Sequence, residues 1–420
     1  MYTVYLMLSL ILLTTLQAPL AFAQSACPEN RYGSAMVYDE ANKRLILFGG
    51  AEWDDTPTFY NDTWAYVTRT NTWVKLNTPV KPPGRFNPGM VYVPGREVII
   101  LFGGHRLPDG SLSDMWLFDV KTDSWRELDP PNRPEARSCM GMAYDAKQGK
   151  VLVFGGRGAS IPVSDTWAYD VELNAWTDMR PTTSPQPQYG VGMVYDSVNE
   201  RVLLLEGHYV TQQGGVVRDG YNGGLYTFNW EAGMWRKIEC SPPPGRYWYS
   251  TGYDSDRGRM IVFGGIRWIS GYGNLYDETW IYDTKANTWT RYSAKGPEKR
   301  YISPMAYYPT YKVTILFGGA DVIGEAPGGG DLRKYYQDTW ALNATLAWSL
   351  KMANSTAPVK PAEDGDASRG IPAYPCVSIL LGLGAAFLYF NWGKKRVMSK
   401  YFLTRAMSQI EKIHTRAFTK

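Results

Sequence analysis

Residues 31–50, RYGSAMVYDEANKRLILFGG, and 61–76, NDTWAYVTRTNTWVKL, decide the fold, because their pattern returns five more times along the chain. The glycine pair stands at Gly49-Gly50, Gly103-Gly104, Gly155-Gly156, Gly264-Gly265 and Gly318-Gly319, with a worn copy at Glu206-Gly207. The units begin at Arg31, Arg85, Arg137, Gln188, Arg246 and Arg300, so the period is a little over fifty residues. A repeat of that length means one small sheet per unit, stacked on its neighbours. In the first unit the runs Gly33–Tyr38, Arg44–Phe48, Asp62–Val67 and Thr72–Leu76 are rich in β-branched and aromatic residues and bounded by turn residues. Such a sheet is too small to stand alone and must bury both faces. Six of them in a ring make a propeller, which leaves only short, protected edges. The spacing therefore predicts an all-β, six-bladed β-propeller over residues 24–350.

The tryptophans supply the filling. Trp64, Trp116, Trp167, Trp280 and Trp340 fall in third strands, with Tyr226 in that place in unit four. Trp73, Trp125, Trp176, Trp235, Trp289 and Trp348 fall in fourth strands. All eleven are expected in the core, each burying roughly 150–250 Å². The glycine pair, the Tyr of the Met-Val-Tyr-Asp segment and the spaced tryptophans resemble the kelch repeat, the unit that also builds the central propeller of galactose oxidase. The resemblance runs from Arg31 to about Leu350. Kelch propellers usually close by sharing a blade between the two chain ends. Here every blade reads as contiguous in sequence, which leaves the latch of the ring unspecified.

The chain ends lead to a membrane expectation. Residues 1–23 are uncharged and apolar and end in Ala21-Phe22-Ala23, the pattern of a cleaved secretory signal. Residues 351–375 read as a flexible, proline-bearing stalk. Residues 376–393 read as one transmembrane α-helix, followed at once by Lys394-Lys395-Arg396. The tail 394–420 reads as a short, basic amphipathic helix. Together these predict a single-pass type I membrane protein of the plasma membrane or secretory pathway, with its propeller outside or in a lumen. Sequons at Asn61, Asn343 and Asn354 would then be glycosylation sites. Four cysteines, Cys27, Cys139, Cys240 and Cys376, lie on non-adjacent blades or at the membrane edge and suggest no disulfide framework.

Chemistry is sparse. Copper radical oxidation, the activity of one kelch relative, needs paired histidines and tyrosines around one metal. This chain has three histidines, and His105 and His208 sit at equivalent places two blades apart. No catalytic residue, metal site or cofactor is expected, and the fold is read as a binding protein rather than an enzyme. Net charge is +4 and the basic tail holds +7 of it, so the mildly acidic remainder is not expected to bind nucleic acid.

A protein or glycan ligand is expected on the face carrying the connections from second to third strand and from fourth strand to the next blade. Loops on a rigid scaffold are where recognition concentrates. The longest second-to-third connections lie in blades 4 to 6. They hold Tyr209, Arg218, Tyr221, Arg267, Trp268, Tyr272, Tyr276, Arg333, Tyr335 and Tyr336, residue types that anchor interfaces. The repeated Arg–aromatic pair adds Arg31, Arg85, Arg246 and Arg300, either as an anion-binding ring, which the kelch resemblance implies, or as structural ion pairs. Blade 4 replaces Arg by Gln188, Gly by Glu206 and Thr-Trp by Leu225-Tyr226, which marks it as a specialised binding blade or a decayed one. The alternatives are an oxidase of galactose oxidase type and a structural membrane protein acting through its tail.

Overall fold

The computed structural model describes residues 27–352, except 54, 55, 160, 214, 215, 270, 271, 293, 294, 326–330 and 344. Residues 1–213 and 217–377 form one compact unit, and of the other unit, 214–216 with 378–420, only Val216 is among the described residues. Six four-stranded antiparallel blades span 32–75, 89–128, 141–178, 192–238, 250–292 and 305–352. Blade 1 contains Tyr32–Asp39, Arg44–Glu52, Thr63–Val67 and Thr72–Lys75, within a few residues of the expected runs. The last strand of blade 6, Trp348–Met352, ends slightly beyond the expected boundary.

Period-two alternation explains why small sheets suffice. On the second strand of blade 1, Leu45 and Leu47 enter a core shared with blade 6, while Ile46 and Phe48 enter a core shared with blade 2. The same happens at every junction, so the six inter-blade cores form a closed series in which blade 6 meets blade 1. The second strands are thereby buried on both faces, while the fourth strands keep alternate residues exposed, and a single blade is too small a sheet to stand alone.

The tryptophans divide into two classes. In fourth strands, Trp73, Trp125, Trp176, Trp235 and Trp348 are buried, and Trp289 is half-buried. Several donate Nε1–H to a third-strand threonine of the preceding blade: Trp125 to Thr63, Trp235 to Thr166, Trp348 to Thr279 and, across the chain ends, Trp73 to Thr339 at 3.0 Å. Where the threonine is replaced, the bond is lost. Met115 stands opposite Trp176, whose buried Nε1 has no hydrogen-bond partner among the described residues. The third-strand indoles do not all reach the core. Trp64 and Trp116 are buried, but Trp167, Trp280 and Trp340 are half-exposed. Their nitrogens are tied instead to the acidic residue two positions earlier.

The ring is latched without a shared blade. The residue two after each unit's first position takes the left-handed backbone: Gly33, Asn87, Cys139, Gly190, Trp248 and Ile302. Each amide donates to the carbonyl of its counterpart in the preceding blade. The chain of bonds runs Asn87 to Gly33, Cys139 to Asn87, Gly190 to Cys139, Trp248 to Gly190 and Ile302 to Trp248. It closes with Gly33 to Ile302 at 3.0 Å. These six amides form a continuous belt around the central channel. Outside it, Gly50, Gly104, Gly156, Gly265 and Gly319 donate to the carbonyl of residue 85, 137, 188, 300 and 31 respectively, all at 2.9 Å. Gly49 and Gly50 hold φ of 73° and 98°, and a Cβ on Gly49 would stand 2.7 Å from the Arg85 carbonyl, so the glycine pair is a steric requirement of the junction. Between blades 4 and 5 a side chain does this work: Tyr249 Oη accepts from Gly192 N and donates to the Leu205 carbonyl.

Two sequence expectations are corrected here. The expected fold class joined a transmembrane α-helix and an amphipathic tail to the propeller. Among the described residues the only helical turns are the 3-10 turns Pro94–Arg96 and Pro309–Tyr311, and no helix is long and apolar enough to cross a membrane. The described fold is accordingly all-β, and the type I membrane placement is withdrawn. The stretches read as signal (1–23), span (376–393) and tail (394–420), with most of the stalk, lie outside the described residues, as does Asn354. Asn61 and Asn343 are exposed, and Asn343 Oδ1 accepts from Thr345 and Ala347 in a turn. Cys139 and Cys240 are free thiols, Cys139 buried and Cys240 half-buried.

Candidate functional site

Beyond each glycine pair the chain does not become a loop. It pairs with the residue that follows the Arg position of its own unit: Tyr32 with Ala51, Phe86 with His105, Ser138 with Arg157, Tyr189 with His208, Tyr247 with Ile266 and Tyr301 with Ala320. From there, every blade but blade 3 extends into a β-hairpin: 51–52 with Thr58–Phe59, His105–Arg106 with Gly110–Ser111, His208–Gln213 with Val216–Tyr221, Ile266–Ile269 with Tyr272–Leu275, and Ala320–Glu325 with Asp331–Tyr335. The expected long loops of blades 4 to 6 are thus a crown of hairpins around the channel mouth.

The arginines resolve in favour of structure. Arg31, Arg85, Arg137 and Arg300 are fully buried, and each guanidinium forks onto one aspartate of its own unit: Asp62, Asp114, Asp165 and Asp338, at 2.5–3.1 Å. One Arg nitrogen also reaches the carbonyl of the first glycine of the pair. The same carboxylate accepts from the third-strand indole. Burial opposes ionisation of Asp62, Asp114 and Asp165, but the guanidinium overrides it and holds all three below the usual carboxylate range. Arg31 and Arg300 also lie over the rings of Tyr60 and Tyr336 at 3.9 Å. In blade 5 a glutamate takes the acidic position. Arg246 reaches Glu278 at only 3.6 Å and stacks on Tyr276 at 3.8 Å, and burial lowers its pKa.

Blade 4 has exchanged the whole network. Gln188 replaces the Arg and Gly224 replaces the Asp, so neither partner of the ion pair remains. A carboxylate reappears on the second strand as Glu206, whose Oε2 accepts from Gly224 N at 3.0 Å, while Gln188 Oε1 accepts from Gly207 N at 2.8 Å. Glu206 and Gly207 do not adopt the left-handed backbone of the other glycine pairs, which is why a side chain fits there. Burial raises the Glu206 pKa, with the Gly224 amide pulling the other way. The three departures from the repeat are one coordinated change.

The channel mouth is roofed by an aromatic cluster drawn from the hairpins of blades 1, 4, 5 and 6 and from the aromatic residues that follow the first position of each unit but the third. Tyr32, Trp53, Phe86, Tyr247 and Tyr301 are buried in it, with Tyr189, Tyr221, Trp248, Trp268 and Tyr335 at its edge. Several expected ligand-binding residues are therefore engaged within the molecule. Tyr335 donates to the Trp53 carbonyl, tying blade 6 to blade 1. Arg333 donates to Tyr301 Oη, Tyr336 is buried and donates to Glu298, and Tyr221 Oη accepts from Trp268 N beneath Arg267. Tyr209 is half-buried over Gly220, Arg218 is exposed, and Tyr272 opens the second strand of the blade 5 hairpin.

His105 and His208, at equivalent places two blades apart, differ in their settings. His105 is half-buried with its ring edge-on to Phe86. His208 is buried in the roof, with Nδ1 2.8 Å from Tyr189 Oη, Nε2 3.2 Å from Asp219 Oδ2, and its ring stacked 4.8 Å from Tyr221. Nothing in a single sequence marks that cluster, because its members are brought together by hairpin register.

Around this roof the tips of the hairpins and of the blade 3 loop expose aliphatic side chains: Leu107 (47%), Ile161 (55%), Val217 (37%) and Ile323 (42%). The crown thus carries aliphatic side chains at its described tips. Among the described residues no group of three or more His, Cys, Asp or Glu side chains is placed to hold a metal ion.

The repeat network just described is matched by the KLHDC2/KLHL20/DRC7 Kelch-repeats domain model over residues 5–207 and 197–368. The chain belongs to that kelch-repeat family. Similar proteins include Kelch domain-containing protein 2 of Bos taurus, 23% identical over 335 residues, covering 71% of this chain and 77% of the relative. Kelch domain-containing protein 10 of Homo sapiens is 24% identical over 349 residues, covering 78% and 74%. The kelch resemblance read from the glycine pairs and tryptophans is therefore shown.

Proposed function

We propose that this kelch propeller is a non-enzymatic binding module that takes a protein ligand on its crown. The observation that carries the reading is the rim of exposed aliphatic side chains, one at each described tip of blades 2, 3, 4 and 6. Exposed apolar groups gathered on one face of a rigid scaffold mark interaction sites. The elements beyond the glycine pairs are short in blades 1 to 3 and longer in blades 4 to 6. Arg218 and Tyr209 on the blade 4 hairpin add polar contacts at the rim. The membership of a kelch family agrees with a binding role. A glycan fits less well, because the aromatic rings that would stack on sugar are already packed against one another in the roof.

The test compares partners recovered on the immobilised full chain with those recovered on a rim variant, Leu107→Ser, Ile161→Ser, Val217→Ser and Ile323→Ser together. A control carries Leu173→Ser, an exposed position in the turn between the third and fourth strands of blade 3, at the other end of the sheet. Loss of specific partners from the rim variant alone is expected. Equal recovery by all three proteins would overturn the assignment of the crown.

A further inference from the structure

Five of the six junctions between blades repeat the same two backbone bonds on the crown side of the ring. The amide of the second glycine donates to the carbonyl of the first residue of the next unit around the ring, and that residue's own amide donates back to the connection beyond the glycine pair. The returning bonds run from Arg31, Arg85, Arg137, Gln188 and Arg300 to the carbonyls of Tyr336, Tyr60, Leu112, Val163 and Tyr276, at 2.9–3.3 Å. At the junction of blades 4 and 5 neither bond is present among the described residues. Gly207 N donates instead to Gln188 Oε1 of its own blade at 2.8 Å, and Arg246 N makes no returning bond. A third repeated tie is missing there too. Leu225 stands where four other blades carry the threonine that accepts from a fourth-strand tryptophan. Trp289 Nε1 therefore finds no hydroxyl and lies beside Cys240. The junction of blades 2 and 3 lacks only this third tie, because Met115 replaces the threonine but both backbone bonds stay.

The crown side of the blade 4 and 5 junction is held by what is left. The belt bond runs from Trp248 N to the Gly190 carbonyl at 3.1 Å, the Tyr249 hydroxyl bridges the two blades, and Trp268 N reaches Tyr221 Oη at 3.3 Å, together with aromatic packing in the roof. The opposite side is tied more firmly. Asp196 of blade 4 accepts from Tyr253 Oη and Thr284 Oγ1 of blade 5, and Asn199 Nδ2 donates to the Thr284 carbonyl. We propose that this junction is a seam at which the closed ring opens on its crown side, hinged on the Asp196 network, while the ladders within each blade stay intact. Each missing hydrogen bond weakens the closed state roughly two- to tenfold, and three are missing here. The seam lies between two of the longer hairpins of the crown, so a partner gripping both of them closes it. That last consequence rests on the crown being the binding face; the seam itself does not.

The belt supplies the measurement. Each belt amide bridges one junction, so six equivalent protons report the six junctions separately. Native-state hydrogen exchange of the full chain without any partner, read amide by amide by NMR as protection factors, is expected to show Trp248 N about tenfold or more less protected than the amides of Gly33, Asn87, Gly190 and Ile302. Cys139 N, at the junction of blades 2 and 3, is expected in between. Leu225→Thr restores an acceptor for Trp289 and should slow exchange at Trp248 N alone. Tyr249→Phe removes the side-chain bridge and should speed it, leaving the other five amides unchanged. The order of the wild-type amides needs no variant, so the test stands even if neither variant folds. Trp248 N as well protected as Ile302 N, or Tyr249→Phe speeding all six belt amides alike, would overturn the proposal. Loss or retention of partners by the rim variant leaves these rates untouched, so the seam and the binding face are judged apart.

Discussion

At the scale of the residue, the repeated arginine does the opposite of what an exposed binding ring would require. It is buried, forked onto an aspartate of its own unit and bonded to a glycine carbonyl, so one side chain fixes the start of the first strand, the end of the second and the start of the third. A buried pair of this kind is costly to halve, because the remaining charge is left uncompensated. Arg85→Ala should cost about 3–5 kcal/mol of unfolding free energy in denaturant titrations, and Arg85→Lys should not restore it, since an ammonium cannot fork. A loss below about 1 kcal/mol, as for a surface pair, would contradict the assignment. Glu206 offers the converse case. Its pKa in the folded protein is raised by burial. The ionised carboxylate is then a penalty, fully present above the folded pKa and relieved as pH falls through that value toward the unfolded one. Glu206→Gln should be at least as stable as the wild type at neutral pH, and the wild type should gain on it as the pH is lowered toward the carboxylate range. Unfolding curves of the two proteins across that range check the sign.

Individual strands were the most legible part of the sequence. The four runs of the first unit match the observed strands within a few residues, because β-branched alternation and turn residues are local signals. The tryptophans were legible only in part. Those of the fourth strands face the preceding blade and fill the core shared with it, whereas those of the third strands all bond the acidic residue two positions earlier and only Trp64 and Trp116 of them are buried. Trp176, wedged between Phe102 and Tyr169 with ring centroids 5.2 and 5.0 Å away, should lose about 3–5 kcal/mol on replacement by alanine. Trp167→Ala, at a half-exposed third-strand site, should lose clearly less. Equal shifts in thermal denaturation would show that the two classes are not distinct. The hairpins after the glycine pairs were read as loops because their strands are only two to six residues long and pair mainly with each other across a turn. Gln188 and Glu206 stood out as departures from the repeat, but the contacts they make with Gly207 and Gly224 are visible only once the strands are in register.

At the scale of the whole molecule, the count of six blades was fixed by the period of the repeat, but the way the ring shuts was not. Kelch propellers commonly share a blade between the chain ends, and this chain does not. It repeats at the junction of blade 6 with blade 1 the contacts used elsewhere: the Trp73–Thr339 bond, the Gly319–Arg31 bond, the shared core and the closing link of the left-handed belt. Trp248 and Ile302 carry no sequence mark of a left-handed backbone, so the belt could not be foreseen from residue type. Closure by repetition implies that the terminal blades are no weaker than the inner ones and that the propeller unfolds in one cooperative transition. An open arc would fray at both ends. Native-state hydrogen exchange on the first strands of the blades tests this most directly. Tyr32–Asp39 of blade 1 and Met305–Tyr308 of blade 6 should exchange as slowly as Gly141–Asp145 of blade 3, all at the rate of global unfolding. Faster exchange confined to blades 1 and 6, with blade 3 still protected, would contradict the closed ring.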